Sequence, residues 1–238
     1  MIVVALIAVN TAAMIICSRR GIVFYDFLIL EGYAGLGAII GSKLLFLCTV
    51  FSEIDWARFV SDYSYFSMYM KGGFVFFGGL LCALPAVFLG SRIHDIHIAQ
   101  FLDVFAFIIP IGHGIGRIGC FLAGCCYGIE SDGPISVVFP AGGFAPSGSG
   151  RVPTQLIEAT SLFAISFIVL IVYMRRKKAG AFPFYLITYS IVRFVIEFYR
   201  GDAERGIIFE LSTSQWICIF ILLVTTFIVV KTAFERDI

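Results

Sequence analysis

Long apolar runs, rather than strict alternation or a narrow amphipathic stripe, dominate the pattern of hydrophobic and polar positions along this chain. They predict seven membrane-crossing helices over 2–17, 27–51, 73–90, 98–126, 156–174, 181–199 and 214–231. A bilayer core of about 30 Å needs about 20 apolar residues to cross it as a helix. The short alternating segments of a transmembrane barrel are not visible. The fourth run is long enough to tilt or to break near its glycines, and the segment beyond Gly119 is expected to unwind. Two intervening segments are longer than connectors need to be. Residues 52–72, "SEIDWARFVSDYSYFSMYMKG", have the aromatics of an interfacial segment. Residues 127–155 hold "ISVVFP" and then "AGGFAPSGSGRVPTQ". They read as a small extended element followed by a Gly/Ser/Pro loop, either a mobile gate or a plain connector.

Composition supports the same class. The chain has 238 residues, 60% of them hydrophobic and 14% charged, with a mean hydropathy of +0.98, whereas soluble domains carry about 25% charged residues. The expected fold class is therefore an all-α polytopic integral membrane protein, one transmembrane domain over residues 1–238. At a net charge of +1, no basic cluster suggests nucleic acid. The first run is read as a span and not as a secretory signal, because Arg19 and Arg20 follow the apolar stretch instead of preceding it. Placing the N-terminus outside and the C-terminus inside puts Arg19, Arg20, Arg92, Arg175, Arg176, Lys177, Lys178, Lys231 and Arg236 on the inner side. The outer side then holds Arg58, Lys71, Arg151, Arg200 and Arg205, so the positive-inside rule favours this orientation.

Charge inside the spans changes the picture from architecture to chemistry. Lys43, Arg117 and Arg193 fall within or at the edge of apolar runs, where an ionisable group costs about 2.5–3.5 kcal/mol at the bilayer centre and points by default to function. Lys43 fits either a functional group or an internal structural pairing. His113, Arg117 and Cys120 recur at i, i+4 and i+7 and so share a helix face. The glycines around Arg117 leave room for a helix or a ligand to approach. Cys125 and Cys126 follow closely. Arg193, Glu197 and Arg200 repeat the same spacing in the sixth run, "RFVIEFYRGD", and form either a self-neutralised clasp or part of an anion site. A lipid phosphodiester is the natural anion at that depth, and guanidinium grips phosphate with a two-pronged fork. In "RVPTQLIEA", Arg151, Gln155 and Glu158 lead into the fifth run. There Thr154 and Gln155 either hydrogen-bond a headgroup or serve the helix start after Pro153.

Cys17, Cys48, Cys82 and Cys218 lie singly in spans and read as small apolar filler. The cluster Cys120, Cys125 and Cys126 leaves three readings open. It is a disulfide with a free thiol, a set of nucleophilic carriers, or, with His113, a metal site, although C-x₄-C-C is not a standard zinc spacing.

Together "YAGLGAIIGSK", "GGFVFFGGL", "FLDVFAFIIPIGHGIGRIGCFLAGCCYG", "RVPTQLIEA" and "RFVIEFYRGD" resemble the prolipoprotein diacylglyceryl transferases, over roughly residues 30–231. The resemblance implies a multi-pass enzyme of the bacterial plasma membrane with its active site toward the outer leaflet. Its partners would be phosphatidylglycerol, as donor of the diacylglyceryl group, and a lipoprotein precursor peptide whose cysteine thiol accepts it. No metal or cofactor is required by that chemistry. By resemblance, Arg117 and Arg193 hold the lipid headgroup, with Glu197 and Arg200 beside them; Gln155 joins the expected substrate contacts from its own position alone. The chain departs from the family where a histidine is replaced by Phe77, and where Cys120, Ala123 and Cys125 stand for two asparagines and a glutamate. His113 and the thiols of Cys120, Cys125 and Cys126 are the candidates to take over the lost catalytic groups. The alternatives are transfer to another thiol acceptor, or a non-catalytic or redox membrane protein that keeps the lipid cavity.

Overall fold

A computed structural model describes residues 1–73, 75–175, 180–201 and 207–235. The side chains of Phe76, Phe77, Leu80, 172–175, 207–208 and Ala233 lie outside the described set. So the expectation attached to the Phe77 side chain, and the charges at 176–178, Arg205 and Arg236, fall outside it.

Helices occupy every one of the seven apolar runs. They are α1 (Ile2–Arg20), α2 (Phe24–Thr49), α5 (Phe76–Ile93), α6 (Leu102–Ala123), α7 (Thr154–Arg175), α8 (Ala181–Glu197) and α9 (Thr213–Phe234). Two short helices, α3 (Trp56–Ser61) and α4 (Tyr63–Lys71), form the aromatic segment between α2 and α5. Among the described residues, five helices are long and apolar enough to cross a membrane: Ile2–Arg20, Phe24–Thr49, Ile98–Ala123, Thr154–Ile171 and Thr213–Thr232. Their outward faces stay apolar, as Leu223 (66% exposed) and Phe227 (69%) on α9 illustrate. An apolar exterior of that kind suits lipid rather than water. The chain is a polytopic helical membrane protein.

The described residues pack as two units, Met1–Ile16 with Leu102–Ile238, and Cys17–Phe101. In the second unit, α2 packs on α5 through Gly41 and Gly78, where a Cβ on either would strike the other's carbonyl. Only glycine permits that approach. Lys43 is pinned in the same unit. Its Nζ donates to the carbonyls of Tyr69 (2.9 Å), Gly72 (2.5 Å) and Gly73 (3.1 Å). A cation on the carbonyls at and just past the end of α4 satisfies groups the helix leaves without partners. Of the two readings offered by its sequence position, the structural one therefore accounts for Lys43. Asp55 and Asp62 accept backbone N–H groups at the starts of α3 and α4. An apolar hollow of about 350 Å³ lined by Phe59, Val60, Ser61, Tyr63 and Phe66 holds no charged group.

The first unit gathers α6, α7, α8 and α9. Ala106, Ile165, Val169, Ala181 and Tyr185 form its buried centre, with Phe107, Phe182 and Tyr189 packed against them. Ser166 Oγ donates to the Phe107 carbonyl at 2.9 Å, tying α7 to α6. Asp103 Oδ1 accepts the amide of Ala181 at 3.1 Å, so a carboxylate from the start of α6 caps α8.

The structure corrects one local expectation: α6 does not unwind beyond Gly119. It runs unbroken to Ala123, with Pro110 inside it, and the chain turns at Gly124. Two of its glycines serve packing. A Cβ at Gly114 would meet the Phe163 ring at 2.8 Å, and one at Gly112 would meet Val9 at 3.0 Å. The expected extended element is present as β1 (Val137–Val138), paired antiparallel with β2 (Gly150–Arg151).

Candidate active site

The centre of the site is Glu158, on the second turn of α7 and 2% exposed. Its Oε1 lies 3.1 Å from Arg117 Nη2 of α6 and accepts the Tyr189 hydroxyl of α8 at 2.9 Å. Its Oε2 accepts Arg193 Nη1 of α8 at 3.2 Å. One carboxylate thus carries two guanidinium groups drawn from different helices, one on each oxygen. A buried carboxylate is tolerable in such surroundings because ion pairs and hydrogen bonds offset its desolvation. His113 stands one turn before Arg117, with Nε2 3.8 Å from the same Oε1 and its ring edge-on to Tyr189 at 5.3 Å. At 32% side-chain exposure it is the most open side chain beside Glu158, against 14% for Arg117 and 8% for Arg193.

The Arg193–Glu197 clasp predicted from the i, i+4 spacing is formed, at 2.6 Å, and Arg193 Nη2 also donates to Ser214 Oγ of α9 at 3.3 Å. Arg200, just past the end of α8, sits 3.7 Å from Glu197. Three largely buried arginines therefore share two buried carboxylates, and the described members keep a formal excess of one positive charge. The Arg117 Nε is buried without a hydrogen-bond partner among the described residues. Such a donor is costly unless something fills its place.

The segment after α6 forms one wall. Residues 128–131 run extended between 150–152 and 199–201. Gly128 N donates to the Val152 carbonyl at 3.0 Å, and Ile129 N donates to Tyr199 at 2.9 Å. Gly201 N returns to the Tyr127 carbonyl at 2.9 Å. A Cβ on Gly128 would strike the Val152 carbonyl and come within 2.8 Å of Tyr199 O, so this crossing needs glycine. Arg151 stacks its guanidinium 5.0 Å from the Tyr127 ring centre and pairs with Glu130 at 2.8 Å. Arg151 thus fastens the wall rather than facing Glu158.

Gln155 and Thr154 look toward the thiol-bearing turn. Gln155 Nε2 donates to the Cys125 carbonyl at 2.7 Å, and Thr154 Oγ1 donates to that of Cys126 at 2.9 Å. The Gln155 Oε1 remains buried without a partner among the described residues. The sulfurs of Cys120, Cys125 and Cys126 lie within 4.8 Å of one another, and all three are partly exposed and outside any disulfide.

Sequence spacing places His113, Arg117 and Cys120 on one face, and Arg193 with Glu197 on another. It gives no partner for either face. Glu158 and Tyr189 join them, and the available signal was a carboxylate within an apolar run, which the bilayer rule already marks as functional.

A helical membrane protein with an arginine–carboxylate cluster buried among its helices, and a glycine-bearing crossing next to Arg200, defines a class, a polytopic membrane protein with paired charge in its interior. Comparison with known proteins narrows that class. The family model described as prolipoprotein diacylglyceryl transferase matches residues 1–231. The phosphatidylglycerol–prolipoprotein diacylglyceryl transferase 2 of Clostridium perfringens is 35% identical over 189 residues, which is 79% of this chain and 72% of that protein. The phosphatidylglycerol–prolipoprotein diacylglyceryl transferases of Clostridium tetani and Pasteurella multocida are 34% and 33% identical, over 81% and 80% of this chain and 75% and 68% of their own lengths. The chain belongs to the prolipoprotein diacylglyceryl transferase family.

Proposed function

We propose that this chain transfers the diacylglyceryl group of phosphatidylglycerol to the cysteine thiol of a lipoprotein precursor, at the outer leaflet of a bacterial plasma membrane. In this reading all seven helices cross the bilayer as one domain, with the N-terminus outside and the C-terminus inside. The observation that carries it is the two-sided grip of Arg117 and Arg193 on Glu158. Guanidinium groups held in place by a fixed carboxylate are pre-oriented for a phosphodiester and need little reorganisation as charge builds on the leaving group.

The reaction balances with these residues. The sulfur attacks the glyceryl carbon that bears the phosphate, the C–S bond forms, and the C–O bond to phosphate breaks. Its electron pair leaves on glycerol phosphate. Arg117 and Arg193 hold that phosphate, Glu197 and Arg200 support Arg193, and Gln155 offers its unpartnered amide oxygen to the substrate. His113, the most accessible member of the cluster, receives the thiol proton.

The test uses the purified full chain with phosphatidylglycerol and a lipobox peptide, read by mass spectrometry of the lipopeptide and by glycerol phosphate release. The expected result is equal yields of the two products. Arg193→Met lowers the rate about 10- to 100-fold, from about 1.5–3 kcal/mol for a hydrogen bond to a charged group. A folded protein that binds the lipid and makes no lipopeptide overturns the reading.

A further inference from the structure

We propose that Cys120, Cys125 and Cys126 form a three-thiolate site for a soft tetrahedral metal ion of the zinc class, its fourth position left for the thiol that accepts the lipid. The role of that fourth position rests on the transfer reaction proposed above, whereas the metal site itself does not.

The geometry is close to that of a bound ion. Zinc holds thiolates at about 2.3 Å, which sets three of them about 3.8 Å apart around a tetrahedral centre. The three sulfurs here already lie within 4.8 Å of one another, so side-chain rotations of a fraction of an ångström to about 1 Å close the site.

The backbone builds this convergence. Cys120 is on the last turn of α6. Past Ala123 the chain reverses at Gly124 (φ 73°), and the Cys125 amide donates back to the Cys120 carbonyl at 3.1 Å. Cys126 follows in the left-handed region at φ 59°. For a residue with a Cβ, that conformation costs about 1–2 kcal/mol and persists where the surroundings impose it. Gln155 and Thr154 impose it here, each holding one of the two consecutive carbonyls. Pinning both carbonyls leaves the adjacent side chains to turn toward Cys120.

The ligand set has the form of a reactive site, not a sealed one. Among the described residues no other His, Cys, Asp or Glu joins the three sulfurs, and His113 is engaged with Glu158. Structural zinc sites are closed by four protein ligands, while reactive ones keep three and an open position. The thiols are partly exposed, which gives an entry path. Arg117 lies one turn before Cys120 on the same helix, so a positive charge accompanies the net negative charge of three thiolates on a divalent ion. A disulfide would use two of the three sulfurs and strand the third.

Loading releases the three thiol protons to solvent. An accepting thiol that takes the fourth position gives its proton to His113, as in the reaction proposed above, and is held as thiolate, the form that attacks carbon. Its sulfur then bonds to the glyceryl carbon as the C–O bond to phosphate breaks. The electron pair leaves with glycerol phosphate, and the thioether product, a poorer ligand, departs from the metal.

The test uses the full chain in detergent, reduced, stripped with chelator and reloaded with zinc. About one zinc per chain is expected after desalting, falling below about a tenth of that in the Cys120→Ser/Cys125→Ser/Cys126→Ser variant. Cys48→Ser keeps the full complement. Cobalt in place of zinc should show thiolate-to-metal charge-transfer absorption that shifts on adding a lipobox peptide, but not its serine analogue. Zinc content no higher than in the triple variant, or oxidation to a disulfide in place of loading, overturns the site. A cobalt spectrum indifferent to the peptide overturns the fourth-position role. Metal binding without lipopeptide formation by the wild-type chain upholds the site and overturns the reaction. Full-rate transfer by zinc-free protein overturns the metal's part in it.

Discussion

Replacing Glu158 by glutamine probes the cluster at its centre. Gln keeps the size and one acceptor oxygen but removes the charge that Arg117 and Arg193 share at 3.1 and 3.2 Å. It also turns an amide N–H₂ toward one of them. Breaking a buried ion pair from one side costs about 3–5 kcal/mol, because the remaining charges stay out of water without compensation. The oxygen that Gln retains favours the lower end, about 3 kcal/mol. For a chain of this size each kcal/mol lowers the melting temperature by about 2–4 °C, so the variant should melt roughly 6–12 °C lower. The assay is thermal unfolding of the purified protein in detergent, followed by tryptophan fluorescence. Lys231→Met serves as reference, since its pair with Glu235 is exposed (63% and 64%) at 3.7 Å and should cost under about 1 kcal/mol. In an Arg117→Met background Glu158→Gln should cost less than alone, by a coupling of about 1–3 kcal/mol. A Glu158→Gln protein melting within about 2 °C of the wild type, or strictly additive double-variant effects, would refute the shared-carboxylate argument.

Other consequences are open to simpler measurements. His113→Ala should slow lipopeptide formation by about 100-fold or more if the ring takes the thiol proton, and an unchanged rate removes it from that role. Gly128→Ala forces a Cβ into the Val152 and Tyr199 carbonyls and should lower the melting temperature by about 2–10 °C, from an overpacking cost of about 1–3 kcal/mol. Asp62, in the segment outside the spans, accepts the backbone N–H of Tyr65 and pairs with Arg58, which hold its carboxyl below the usual range. Its folded pKa is thus below the unfolded value of about 3.9, so its cap on α4 is complete above that pH and is lost as pH falls through the lowered value. An NMR titration midpoint at or above about 3.9 contradicts this.

Much of the molecule follows from the sequence because its causes are local. A helix across a bilayer satisfies its own backbone, so an apolar run of sufficient length is enough to place α1, α2, α6, α7 and α9. The i, i+4 spacing likewise sets His113 above Arg117 and Arg193 beside Glu197, since 3.6 residues make a turn. What the spacing leaves undetermined is which faces meet. Glu158 reaches Arg117 across 41 positions in sequence and Arg193 across 35, and that choice depends on how α6, α7 and α8 pack. The wall is similar: residue 128 pairs with 152 and with 199–201 through backbone groups, which carry no residue-specific signature. The unwinding expected after Gly119 did not occur: Val9, Phe163 and Met1 fill the space beside Gly112, Gly114 and Gly119, and α6 continues to Ala123. Three cysteines were visible as a cluster in the chain. Their convergence required the turn at Gly124, the left-handed Cys126 and two hydrogen bonds from α7. Local periodicity determined the elements and the faces; long-range packing, where buried charge must find its counter-charge, decided the site.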